Sequence, residues 1–193
     1  MNAERIQHAI QEISSFAPFP DDDDEYIMTT NGAKQLDRYQ ELLSIVENEW
    51  IIPDNLTISS PMQNLIIPAL LASFNISNGF GVFWGTLHFL EKFGDDLYPY
   101  VYRALQSSHN VGTRCWSCHL LGRRRNRNDV VYVINALADQ HPVVRQEALL
   151  AIVMLAQTQH IPEAIDPVSR LINDPIEDVR YDAQDTLEAL QNI

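Results

Sequence analysis

Long apolar runs are missing from this 193-residue sequence. The strongest, LIIPALLASF at 65–74, is about half of the roughly 20 residues that cross a bilayer, so no membrane span is expected. The N-terminus, MNAERIQHAIQEISSF, places Glu4 and Arg5 near its start and lacks the apolar core and small-residue cleavage site of a secretory signal. That predicts a cytoplasmic protein. Positive charge is scarce: 13 Lys and Arg stand against 26 Asp and Glu, a formal net charge of -13. Such a balance favours fast association with basic partners and opposes binding to bare nucleic acid or anionic membrane. Enzyme signatures are missing too, with no glycine-rich phosphate loop, no Gly-x-Ser-x-Gly and no His-Glu-x-x-His. The sequence therefore predicts no catalytic residue, no cofactor and no metal.

Cysteine is limited to Cys115 and Cys118. Within RCWSCHLL (114–121) they form Cys115-x-x-Cys118-His119, the spacing of covalent haem attachment. That attachment normally accompanies export, and the export signal is missing. Zinc held by Cys115, Cys118, His119 and His109 would have suitable ligand types, but a second close ligand pair is lacking. Two thiols three positions apart on a helix are also poorly placed for an unstrained disulfide. The expectation is a buried helix in which each free thiol acts as a small hydrophobe.

Several helices are legible from periodicity. Ile6, Ile10, Ile13 and Phe16 form one stripe that ends before Pro18 and Pro20. PFPDDDDEY follows as a solvated acidic loop; its consecutive carboxylates lack the alternating ligands and turn glycine of a calcium loop. Leu36, Tyr39, Leu43, Val46 and Trp50 share one face of a second helix, and Pro53 and Pro61 break the chain after it.

From about residue 62 the chain repeats. Shifting DQHPVVRQEALLAIVMLA (139–156) by 35 onto DPIEDVRYDAQDTLEAL (174–190) superposes Asp139 on Asp174, Val144 on Val179, Arg145 on Arg180, Ala148 on Ala183, Ile152 on Leu187 and Leu155 on Leu190. Each copy follows another apolar helix, so the unit is a helical hairpin, and this period marks a solenoid. On Asp139, Val144, Arg145 and Ala148 and their equivalents Asp174, Val179, Arg180 and Ala183, the sequence resembles the short bacterial HEAT repeats. The resemblance implies an aspartate in the turn between two helices and an arginine that ties adjacent repeats through a polar ladder. Shifting back by 31 carries Arg145 to Arg114, Ala148 to Ser117 and Ile152 to Leu121, which places the cysteine pair on a packed helix. Gly122 would end that helix. This copy has Ser107, Ser108 and His109 where the aspartate belongs, so its ladder is expected to be incomplete. MQNLIIPALLASF and FGVFWGTLHFLEKFG suggest a more degenerate hairpin before it, with Pro68 a possible kink. The expected architecture is an all-α solenoid in one compact domain: residues 1–61 as an N-terminal helical cap with its acidic loop, and 62–193 as about four hairpins ending in a polar cap.

A repeat array offers a binding surface before it offers a reaction site. Off the core stripe lie Gln146, Glu147, Leu150 and Met154 on one second helix and Tyr181, Asp182, Asp185 and Glu188 on the next. Carboxylates mixed with apolar groups suit a basic protein partner. RRRNRND (123–129) is the sharpest basic feature, its four arginines closing an island, residues 98–127, that holds six basic residues and no acidic one. Asn128 or Asp129 would cap the following helix, leaving Arg123, Arg124, Arg125 and Arg127 in an inter-repeat loop that pairs with nearby carboxylates or meets a partner. Placing these arginines on phosphates would make the chain similar to the HEAT-like alkylpurine DNA glycosylases, but no second basic cluster continues the track, and nucleic acid is not the expected partner. HEAT-repeat hydroxylases use His-Glu pairs, which this chain lacks, and likeness to phycobilin lyases would rest on the repeats alone. Trp50, Trp84 and Trp116 are expected to fill core space. A small acidic HEAT-like chain resembles bacterial immunity proteins, which cover the active surface of a cognate toxin. A general scaffold is the alternative.

Overall fold

In a computed structural model of the chain, residues 3–16, 30–49, 60–76 and 82–191 are described. Among them the regular structure is entirely helical: α1 (Ala3–Ser15), α2 (Thr30–Glu49), α3 (Ser60–Ser73), α4 (Val82–Glu91), α5 (Tyr98–Ser107), α6 (Val111–Arg124), α7 (Val130–Ala136), α8 (Pro142–Ala156), α9 (Ile165–Arg170) and α10 (Glu177–Gln191). The acidic run at 21–25, Trp50 and the stretch 51–59 lie outside the described residues. No helix among the described residues is long and apolar enough to cross a membrane. Contacts divide the chain into two compact units, Met1–Tyr100 and Val101–Ile193.

In the first unit α1 packs on α2 and α3, and α4 packs on both of those. The apolar stripe Ile6, Ala9, Ile10 and Ile13 is buried, as are Tyr39, Leu42, Leu43 and Val46 of α2. Burial at i, i+3, i+4 and i+7 is what lets each helix close one face against its neighbours. Pro68 sits inside α3, and Ile66, Ile67, Leu70 and Leu71 around it are all buried. The Tyr39 hydroxyl would be costly to bury alone. It lies 2.7 Å from Ser73 Oγ and 3.1 Å from Thr86 Oγ1, and those hydroxyls also donate to the Leu70 and Val82 carbonyls. Trp84 departs from expectation: 40% exposed, it is not core filler. With Val82, Phe83, Thr86, Leu87, Phe89 and Leu90 already buried on α4, the indole falls on the outward side beside exposed Gly85 and His88.

In the second unit α8 packs against both α6 and α10, with α7 against α8 and α9 against α10. Cys115 and Cys118 are free and buried on α6, and Trp116 is buried beside them. Burial pushes the Cys115 thiol up to about 12, and it raises Cys118 as well. Both shifts disfavour the thiolate, the nucleophilic form.

Two local expectations need correction. Gly122 does not end α6, which runs on to Arg124; Arg125 takes the left-handed cap at φ 54°, its N–H donating to the Gly122 carbonyl. Gly122 is needed for close approach instead, because a Cβ there would lie 2.8 Å from Ala151 Cα and 3.0 Å from Ala151 Cβ on α8. Neither Asn128 nor Asp129 caps α7 by its side chain. Asn126 accepts from the Asn128 N–H, and Asp129 turns inward to accept from Tyr102 (2.6 Å) and Arg124 (3.2 Å).

Candidate partner-binding site

Matching arginines link the turns of α6, α8 and α10, whose helices also share a buried apolar seam. Nε and Nη2 of Arg114 donate to the two carboxylate oxygens of Asp139 at 2.7 and 3.0 Å, and those of Arg145 donate to Asp174 at 2.8 and 2.7 Å. Each arginine also turns Nη1 back on its own turn: Arg114 to the Ser108 and His109 carbonyls, Arg145 to those of Asp139 and Gln140. Asp139 and Asp174 in turn accept the backbone N–H of His141 and Ile176. One rung thus joins a helix start, its own turn and the next turn along the chain.

The missing aspartate before Arg114 does not break this ladder. Arginine reaches forward to the following turn, so Arg114 is paired through Asp139, while Ser108 stands in the aspartate's place and accepts the Asn110 N–H. Burial alone would raise the Asp139 and Asp174 carboxyls; bidentate bonds from Arg114 and Arg145 outweigh it and hold both below the ordinary aspartate value.

On this framework none of the expected contact residues of α8 and α10 is buried. Leu150 is 45% exposed and Tyr181 58%; Asp185 and Glu188 are exposed, and Gln146, Glu147, Met154 and Asp182 are half-buried. Cross-links tie the row together. Glu147 accepts from His119 of α6 at 2.8 Å, and Gln146 donates to Asp182 of α10 at 2.8 Å. The His119 contact had no signal in the sequence, since 28 positions separate the pair. Tyr181 is exposed, with its hydroxyl donating to Glu177 at 3.0 Å. Off their buried stripes α8 and α10 thus carry Glu147, Leu150, Tyr181, Asp182, Asp185 and Glu188.

The four arginines of RRRNRND are not one loop. Arg123 and Arg124 belong to the last turn of α6, Arg125 is its cap, and Arg127 lies in a short 3-10 turn, Arg127–Asp129. Arg124 bonds the Tyr102 hydroxyl and buried Asp129, Arg125 donates to Gln157, and Arg127 pairs with Glu163. Burial and the bond to Asp129 push the Tyr102 hydroxyl up to about 12. Tyr102 stacks on Tyr132 with ring centroids 4.1 Å apart. The guanidinium groups of Arg124, Arg125 and Arg127 therefore have partners within the unit, which disfavours a phosphate track. No protein-family model matches the chain, and no curated protein matches it.

Proposed function

We propose that the chain is a HEAT-like α-solenoid that performs no chemistry and binds a basic protein, in the manner of an immunity protein that covers a toxin. Carrying this reading is the row off the buried stripe of α8 and α10, where exposed Leu150, Tyr181, Asp185 and Glu188 share the helices with half-buried Glu147 and Asp182. Carboxylates at the rim steer and orient a cationic surface, while exposed apolar groups supply the contact that excludes water. The two arginine–aspartate rungs support the HEAT-like part, because they tie successive helix turns as that resemblance implies. Internal pairing of Arg124 and Arg127 disfavours the DNA glycosylase alternative.

The test is co-purification of the chain with a basic toxin domain as salt is raised. Retention at low salt, steady loss with rising salt, and loss at all salts in the Asp182→Lys/Asp185→Lys variant are expected. Capture that ignores both salt and charge reversal would contradict the reading, as would base release from alkylated DNA by the purified chain.

A further inference from the structure

Two carboxylates of the row are held, each by a side chain of a neighbouring helix. Glu147 of α8 accepts from His119 Nδ1 of α6 at 2.8 Å, and the two side chains are 24% and 12% exposed. After burial, Glu147 is the largest influence raising Cys115 and Cys118, so its carboxylate is drawn close to α6. Asp182 of α10 accepts from Gln146 Nε2 of α8 at 2.8 Å, and both residues are half-buried. Each bond engages one oxygen, Glu147 Oε1 or Asp182 Oδ2, and leaves the other able to accept again.

Asp139 and Asp174 show what a purely structural carboxylate looks like here, because each is gripped by an arginine. Among the described residues neither Glu147 nor Asp182 pairs with an arginine or a lysine, although each has lost part of its hydration. An arriving cation would supply what is missing. The two carboxylates hold the same place in successive repeats, on packed helices whose axes lie about 8–10 Å apart. Exposed Asp185 keeps its rotamer freedom until a partner arrives, whereas a bonded, half-buried carboxylate has given that freedom up on folding. We propose that His119 and Gln146 are positioning residues, which fix Glu147 and Asp182 as a pair that receives two basic side chains at that spacing. That those side chains belong to a protein partner rests on the reading above; the positioning itself does not.

The test follows the side-chain carboxyl carbon resonances of the full chain during titration with a hexane-linked diguanidine. An ethane-linked diguanidine, too short for the spacing, and sodium chloride at matched ionic strength are the controls. Glu147 and Asp182 should move together along one saturating curve, further than exposed Asp185, and more with the longer linker than with the shorter. His119→Leu and Gln146→Leu should each weaken that response about two- to tenfold, the change to which ordering one side chain on binding converts. His119→Asn, which returns an amide donor near the place of Nδ1, should restore it. Equal movement of Asp185, equal response to both linkers, or leucine variants that respond like the native chain would overturn the positioning. So would equal weakening in His119→Leu and His119→Asn, because that loss reports packing rather than the hydrogen bond. Failure of toxin capture with the diguanidine response intact would instead strike only the partner reading.

Discussion

The two units are both built of helices, but they solve the problem of joining them differently. Among the described residues of Met1–Tyr100 the helices meet through apolar faces and a buried cluster of hydroxyls, and the charged pairs lie outside. The Arg38–Glu12 pair is bidentate at 2.7 Å in both bonds, yet its side chains are 38% and 28% exposed. In Val101–Ile193 the bidentate pairs lie within, the side chains of Arg145 and Asp174 being 10% and 4% exposed, and the exposed pair Arg127–Glu163 is a separate link. An exposed pair is screened and worth little, whereas a buried pair becomes expensive to break once formed. The same bidentate geometry therefore marks a surface ornament in one unit and a structural joint in the other.

That contrast is open to direct attack, and the largest effect should come from the joint. Asp174→Ala strands the Arg145 charge and should cost about 3–5 kcal/mol in urea unfolding, whereas Glu12→Ala, which frees an exposed partner, should barely move the same transition. A mild response to Asp174→Ala would mean that water reaches the rung. Acid sharpens the comparison. Because the folded Asp139 and Asp174 carboxyls lie below the value of about 3.9 of an unfolded aspartate, their stabilisation is fully present above that pH and fades as pH falls through the folded values. The gap in urea midpoint between the native chain and Asp174→Ala should accordingly hold steady down to about pH 4 and shrink below it.

Smaller effects separate packing from polarity. Gly122→Ala presses a methyl onto the α8 backbone at Ala151, which should cost about 1–3 kcal/mol by overpacking against about 1 kcal/mol of helix propensity gained. A net loss in thermal unfolding is expected, and a net gain would show that α6 and α8 can move apart freely. Tyr39→Phe should cost about 1 kcal/mol, since Ser73 and Thr86 keep their bonds to the Leu70 and Val82 carbonyls. A loss as large as that of Asp174→Ala would erase the distinction between the units.

Sequence legibility follows the same division. The 35-residue shift was visible because each rung sets two charged residues into an otherwise apolar pattern, and α1 and α2 were visible because their apolar stripes are clean. The direction of the rungs was not visible. Arg145 stands six positions from Asp139 and 29 from Asp174, and nothing local says that it grips the farther one. Gly122 was misplaced because a glycine near a helix end ordinarily takes the left-handed cap, and here a side-chain-free surface was needed instead. Trp84 was misjudged because α4 is apolar nearly all round, so periodicity could not tell which aromatic faces outward. For the candidate site, the register of the repeat placed Glu147, Leu150, Met154, Tyr181, Asp182 and Asp185 off the buried stripe, but the His119–Glu147 and Gln146–Asp182 links depend on neighbouring helices and leave no trace in spacing.

Buried rungs link the turns of the helices that carry the acidic face. Native-state amide exchange on the chain and on Asp174→Ala tests this most directly. Protection should fall by orders of magnitude in α8 and α10 while α1 and α2 keep theirs. Unchanged protection in α8 and α10, or an equal loss in α1 and α2, would contradict it.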